Sequence, residues 1–136
     1  MGWRHSMSDL ELFKHIWELS KDSPYMAKMD SPDVRLEGDN AICGDWVEIS
    51  LKIKGGSTRS PLRKKIVEGR FLHKGCAVSV VATSQLLAYA EGKTIAEVQK
   101  LMPEGQLKLF GAPVSPARVK CALLPLEIFK TAKLEQ

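Results

Sequence analysis

Ala41-Ile42-Cys43-Gly44-Asp45-Trp46-Val47-Glu48-Ile49-Ser50-Leu51 is the stretch on which the fold turns. After Trp46, apolar Val47, Ile49, Leu51 and Ile53 alternate with Glu48, Ser50, Lys52 and Lys54. That period of two belongs to a half-buried strand, expected over 46–54. Cys43 and Asp45 stand at its entrance, separated by a glycine that permits a sharp turn, so a thiol and a carboxylate can face one point. Taken alone, the tripeptide describes an ordinary turn equally well.

Working outward, Val34 and Leu36 alternate around Arg35 and predict a short first strand, with Gly38-Asp39-Asn40 as a turn signal after it. Downstream, Gly55-Gly56-Ser57-Thr58-Arg59-Ser60-Pro61 predicts a hairpin loop leading to a third strand at about 65–73. There Ile66, Glu68, Arg70 and Leu72 alternate with Val67, Gly69 and Phe71. His73 ends this strand and is expected to point outward. The pattern then changes to helical: Ala77, Val80, Val81, Ser84, Leu87 and Ala90 share the spacing of a helix that ends by Gly92. Thr94 with Glu97 at the third helical position predicts a capped second helix, stopped by Pro103 and Gly105. Gln106 to Phe110 reads as one helical turn, and Gly111 to Pro116 as a stiff connector. Val119, Leu123, Leu126 and Ala132 lie on one face of a terminal helix, with Pro125 near its start or kinking it. At the other end, Ser8-Asp9-Leu10-Glu11 fits a capping box for a helix over 9–20, on which His15 is expected to be solvated.

The chain has 136 residues, 44% hydrophobic and 26% charged, which suits one domain with its own core. Residues 1–6 read as a cloning remnant ahead of Met7, and residues 1–136 as a single domain. No apolar run is long enough for a membrane span, and no signal-peptide core is present, so the expected compartment is the cytoplasm. The net charge of +4 is scattered; its densest group, Arg59, Arg63, Lys64 and Lys65, has no aromatic residues interleaved. That argues for a solvated loop and against nucleic acid. No phosphate loop, hydrolase triad or nucleotide fingerprint occurs.

Chemistry is concentrated in the three cysteines. Cys43 precedes a strand, Cys76 lies between a strand and a helix, and Cys121 lies near the start of the last helix. An odd count in a chain expected in the cytoplasm argues against a disulfide framework. Any one of them alone is explained as well by a buried thiol. Three thiols at junctions, with Asp45, instead suggest one shared site. Three thiolates and a carboxylate suit tetrahedral zinc, or an iron–sulfur cluster with one oxygen ligand. With Zn2+ such a set sums to about −2, and Arg118 and Lys120 are available to balance it.

Cys43-Gly44-Asp45, Gly75-Cys76-Ala77-Val78-Ser79 and Arg118-Val119-Lys120-Cys121, in that order and with Glu91-Gly92-Lys93-Thr94 between the last two, resemble the NifU/IscU/SufU iron–sulfur assembly scaffolds. The resemblance implies an α+β fold: a small three-stranded antiparallel sheet with helices packed on one face. It implies Cys43, Asp45, Cys76 and Cys121 as ligands of a transient 2Fe–2S or 4Fe–4S cluster, or of Zn2+ in the resting protein. Cys121, with Cys43 as the other candidate, is implied as acceptor of persulfide sulfur from a cysteine desulfurase. Apo iron–sulfur proteins or a carrier are implied as recipients, with monomer and dimer both compatible. Lys120 stands where IscU proteins carry histidine, as in SufU, while the 44 residues between Cys76 and Cys121 are closer to IscU. The function expected is therefore a cluster assembly scaffold; the alternative is a zinc-dependent sulfurtransferase partner of the desulfurase.

Overall fold

The alternation in the opening stretch becomes the middle strand of the protein. In the computed structural model, which describes residues 9–41, 44–55 and 63–132 (the first helix in part by its backbone alone), β2 spans Asp45–Lys54. Val47, Ile49 and Leu51 are fully buried on one face, while Glu48 and Lys52 stay partly exposed on the other. β2 pairs antiparallel with β1 (Val34–Asn40) on one side and β3 (Lys65–Lys74) on the other, in the order β1-β2-β3. The remaining elements are helical: α1 (Asp9–Lys21), α2 (Ala77–Ala90), α3 (Ile95–Gln99), α4 (Pro103–Phe110), a 3-10 turn at Pro116–Arg118, and α5 (Val119–Phe129). The fold is α+β, as expected.

β1 is longer than the sequence suggests. Gly38-Asp39-Asn40 is not a turn but the end of the strand, paired with Val47, Trp46 and Asp45. The reason is tertiary. α5 packs on β1, and a Cβ at Gly38 would lie 2.8 Å from Ile128 Cγ1, so the glycine serves close approach to a helix. The chain reverses afterwards, where the Gly44 N–H donates to the Asn40 carbonyl at 2.8 Å and Gly44 takes a φ of +73°. β3 carries a second departure. Ile53 pairs with Ile66 but Lys52 pairs with Glu68, so Val67 is an extra residue in a bulge and is half-exposed. The bulge resets the alternation, which is why Ile66, Gly69 and Phe71 all face the core.

α2 is buried on nearly every side, from Ser79 through Ala90, and packs against α5, α1, α4 and β3. The buried hydroxyls of Thr83 and Ser84 are satisfied. Thr83 and Ser84 donate to the Ser79 and Val80 carbonyls, and Ser84 shares a 2.6 Å hydrogen bond with Ser23. The Thr94–Glu97 capping box at α3 is present in both directions. Pro103 and Gly105, expected as breakers, lie inside α4, so the segment is an eight-residue helix and not one turn. Proline occupies the first helical position, where its missing N–H has no intrahelical partner to lose. At Gly105 a Cβ would lie 2.5 Å from Leu101 Cδ1.

The main core joins the inner face of the sheet to α2, α3 and α5 through Ile49, Leu51, Ile66, Phe71, Leu87, Leu126 and Phe129. A smaller cluster, Val81, Ala82, Phe110 and Ala122, lies with Ile16 and Leu19 beneath α1 and α4. His15 is exposed, as expected; the Ser8 cap and the 56–62 loop lie outside the described residues. Among the described residues no helix is long and apolar enough to cross a membrane.

The Gly38 contact sets a prediction. Gly38→Ala should cost about 1–3 kcal/mol by overpacking against Ile128. In an Ile128→Ala background the added cost should largely vanish. Urea unfolding midpoints of the four proteins in the cycle measure this, and equal costs in both backgrounds would show that the contact does not govern the strand.

Candidate metal and cluster site

Three elements deliver three donor groups to one end of the sheet. Asp45 opens β2, Cys76 is the N-cap of α2, and Cys121 is the third residue of α5. A carboxylate oxygen of Asp45 and the Sγ atoms of Cys76 and Cys121 all lie within 4.8 Å of one another. Asp45 and Cys121 are fully buried, and Cys76 is partly buried. Cys43, two residues before Asp45 in the chain, lies outside the described residues.

Asp45 is held rigidly. Its Oδ1 accepts from the Cys76 backbone N–H at 2.8 Å, so the carboxylate fastens the start of α2 to the start of β2. Its Oδ2 lies 3.7 Å from Cys76 Sγ, which donates to it. The intervening Gly75 makes this possible. It has a φ of +129°, and a Cβ there would fall 2.0 Å from Asp45 Oδ1 and 2.8 Å from Asp45 Cα. Glycine at this position is therefore a steric requirement of the carboxylate beside it.

The peptide of Cys76 is gripped from its other end. Ser79 Oγ donates to the Cys76 carbonyl at 3.0 Å. His73 Nε2 lies 3.1 Å from the same carbonyl and 2.9 Å from Ser79 Oγ. A carbonyl only accepts, so Nε2 carries the hydrogen. His73 thus does not alternate outward: it is half-buried, turned onto the first turn of α2, and it is not among the clustered donor atoms. Burial pushes its pKa below the usual histidine value, with the Cys76 carbonyl and the Asp45 carboxylate pulling the other way.

Asn40 was not singled out in the sequence. It is buried, and its Nδ2 approaches Cys121 Sγ at 4.0 Å. The available signal was its place in β1: Asn40 pairs with Asp45 across the ladder, but only once the strand is known to extend that far. Arg118 and Lys120 are exposed beside α5, and Lys74 is exposed just before Gly75.

The donor chemistry fits a metal. A tetrahedral Zn2+ with Zn–S near 2.3 Å spaces its ligand atoms about 3.8 Å apart, so two thiols and a carboxylate within 4.8 Å need only small side-chain adjustments. Soft sulfur donors suit zinc and iron–sulfur centres, whereas a carboxylate is the harder partner.

Residues 21–134 match the family model described as the NifU-like N terminal domain. The chain belongs to that family. It is 26% identical to the iron–sulfur cluster assembly scaffold protein IscU of Thermotoga maritima, over 86% of this chain and 88% of that one. The crystal structure of an iron–sulfur cluster assembly scaffold protein for the SUF system of Fervidobacterium islandicum superposes with a TM-score of 0.69 at 26% identity, covering 96% of this chain and 98% of that one. The N-terminal part of a NifU-like protein from Brucella abortus shares the fold, with a TM-score of 0.65 at 19% identity over 85% and 86% of the two chains. The NifU/IscU/SufU resemblance read from the motifs is thereby established at the level of family and fold.

Gly75→Ala should destabilise the metal-free protein by about 2–4 kcal/mol, combining a positive φ with a steric conflict. It should also weaken Zn2+ binding in a chelator competition, because Asp45 is displaced. A variant with unchanged stability and affinity would show that the Gly75–Asp45 contact places nothing.

Proposed function

We propose that this protein is a scaffold for iron–sulfur cluster assembly, with Cys43, Asp45, Cys76 and Cys121 holding the cargo. The observation that carries this reading is the convergence of Asp45, Cys76 and Cys121 on one point from three separate elements. The family supports it, since the Thermotoga and Fervidobacterium relatives are described as scaffolds of this kind.

The chain's part is to receive sulfur, hold iron and let the product go. A cysteine desulfurase presents a persulfide. A thiolate of this chain, Cys121 or Cys43, attacks its terminal sulfur; the donor S–S bond breaks and the desulfurase cysteine leaves as its thiolate. With iron and an electron donor supplied, the persulfide sulfur is reduced to sulfide, and Cys43, Cys76, Cys121 and Asp45 would hold the product. Asp45 Oδ1 is committed to the Cys76 N–H, which leaves Oδ2, the acceptor of the Cys76 thiol hydrogen, as the oxygen to offer once that thiol is deprotonated. One oxygen from a hard ligand holds a soft centre less firmly than a fourth thiolate would. Release to an apo iron–sulfur protein or a carrier then needs only the weakest ligand to leave first. Arg118 and Lys120 place positive charge at the rim, where the ligand set is anionic.

The second reading is a zinc-dependent sulfurtransferase. Lys120 in place of the IscU histidine and the similarity to a SUF-system protein favour it. In that case zinc holds the resting thiols, and one of them leaves the metal to accept sulfur.

Anaerobic incubation with ferrous iron, cysteine, a dithiol reductant and a cysteine desulfurase tests the two readings. A scaffold develops visible absorbance and passes its iron and sulfide to an apo-ferredoxin; a sulfurtransferase keeps tight zinc and accelerates the desulfurase. Asp45→Ala should lengthen the lifetime of the reconstituted cluster several-fold, and faster loss would count against the labile-ligand role. Zn2+ at one hundred times its dissociation constant should stabilise the fold by about 2.7 kcal/mol in thermal unfolding, an effect that chelation reverses.

A further inference from the structure

The proposed ligand set leaves His73 unused, although its ring lies against the first turn of α2 beside that set. β3 ends at Lys74 and α2 begins at Ala77, so Gly75 and Cys76 alone join them. Gly75 has a φ of +129° and no side chain, which makes it the loosest point of the joint. A loose point one residue before a metal donor widens the range of positions its sulfur can take. Two sets of contacts close that range. Asp45 Oδ1 holds the Cys76 N–H, while Ser79 Oγ and His73 Nε2 lie 3.0 Å and 3.1 Å from the Cys76 carbonyl.

The directions of the hydrogens order the second set. Ser79 Oγ has one hydrogen, and the Cys76 carbonyl receives it. His73 Nε2 lies 2.9 Å from Ser79 Oγ, so the hydroxyl oxygen accepts from Nε2–H in turn. Ser79 belongs to the first turn of α2, and its bond ties the helix start only to itself. His73 belongs to β3, where it pairs with Val47 in the ladder, so its bonds tie the helix start to the sheet. The geometry points to His73 as a positioning residue of the site. Its Nε2–H, acting on the Cys76 carbonyl and the Ser79 hydroxyl, aims the Cα–Cβ bond of Cys76 at the space shared with Asp45 and Cys121, and the ring binds no metal itself. This role rests on the metal- and cluster-holding reading above and adds to it a residue that sets the geometry of the donors from outside them.

Metal–ligand distances tolerate only about 0.2 Å, whereas an unclamped glycine joint can displace the next Cβ by far more. With both ends of the Cys76 backbone held, χ1 is the rotation left to its sulfur. Outer partners that orient metal ligands contribute about ten- to a hundredfold in affinity. His73 reaches the backbone of the ligand and not its sulfur, so the lower end of that range is expected. A histidine that merely fills space beneath α2 predicts something else: a ring of similar bulk without the donor would serve equally well.

The test titrates the whole, reduced, metal-free chain with Zn2+ against a chelator, and with Co2+ as a spectroscopic probe. His73→Phe keeps a ring and removes the donor. It should weaken Zn2+ binding about tenfold and alter the visible Co2+ bands, which report the coordination geometry. His73→Gln carries an amide N–H on a flexible stem and should recover most of both. Ser79→Ala should weaken Zn2+ in the same direction, and combining it with His73→Phe should cost less than the sum of the two. Urea unfolding of each metal-free variant establishes that it is folded under the titration conditions. In the wild type, nitrogen NMR in mildly alkaline buffer should show the Nε2–H tautomer of His73, a measurement that needs no variant. The other tautomer, wild-type affinity and Co2+ bands in His73→Phe, or failure of His73→Gln to recover them overturns the positioning role and leaves the ligand set standing. Absence of cysteine-bound Zn2+ or Co2+ in the wild type overturns the ligand set as well.

Discussion

A single hydrogen bond, from the Cys76 backbone N–H to Asp45 Oδ1 at 2.8 Å, ties the first residue of β2 to the first turn of α2. The site depends on it. Asp45 is fully buried, and a buried carboxylate without donors is expensive. The Cys76 N–H is otherwise one of the unpaired donors at a helix start, so the bond satisfies two needs at once. It forms because Gly75 lacks a Cβ, which would occupy the space of the carboxylate oxygen. The glycine, the carboxylate and the thiol are therefore one structural unit, although 29 residues of chain separate Asp45 from Gly75.

The rest of the molecule fixes the geometry of that unit. The pairing of β2 with β3 sets Trp46 opposite Lys74, which brings the end of β3 beside Asp45. α5 supplies Cys121 from the other direction, and its position follows from the Gly38–Ile128 approach to β1. Pro125 lies four residues after Cys121 and has no N–H for the Cys121 carbonyl, so the regular helix ladder is interrupted just below the thiol. Packing of Leu124, Leu126, Ile128 and Phe129 into the core holds the helix there despite the missing bond. A site assembled from a strand start, a helix cap and a helix first turn has its donors on rigid supports, and side-chain rotation is the principal freedom left to them.

What could be read from the sequence was what local pattern controls. The alternation of Val47 to Leu51, the Thr94 cap and the junction positions of Cys76 and Cys121 are local signals, and the structure carries them through. The misreadings have one common cause, which is contact between distant residues. Gly38-Asp39-Asn40 has turn composition, yet α5 presses it into the ladder. Pro103 and Gly105 look like breakers, yet one sits at a helix start and the other yields space to Leu101. The bulge at Val67 follows from pairing register, which sequence alternation alone does not contain. His73 was expected to face outward because strand parity put it there, but Ser79 and the Cys76 carbonyl supply partners that draw it inward. Burial of Cys121 was equally illegible: a thiol near a helix start is exposed or enclosed according to what α5 packs against.

That enclosure bears directly on what the site can do. A buried set of ligands protects reduced sulfur and iron from solvent, but it also hinders their arrival and departure. A fully exposed set would exchange easily and protect nothing. In the proposed scaffold the two properties are divided among the donor groups. Cys121 lies within, Cys76 is partly buried, and Asp45 accepts from the Cys76 N–H on one oxygen and from the Cys76 thiol on the other. In the proposed scaffold, Oδ2 can leave the cargo while Oδ1 remains bonded to the Cys76 N–H, so the carboxylate needs no new position in order to let go. The helix cap thus supplies Asp45 with a resting place inside the site, and for the proposed role that lowers the cost of acting as a ligand only part of the time.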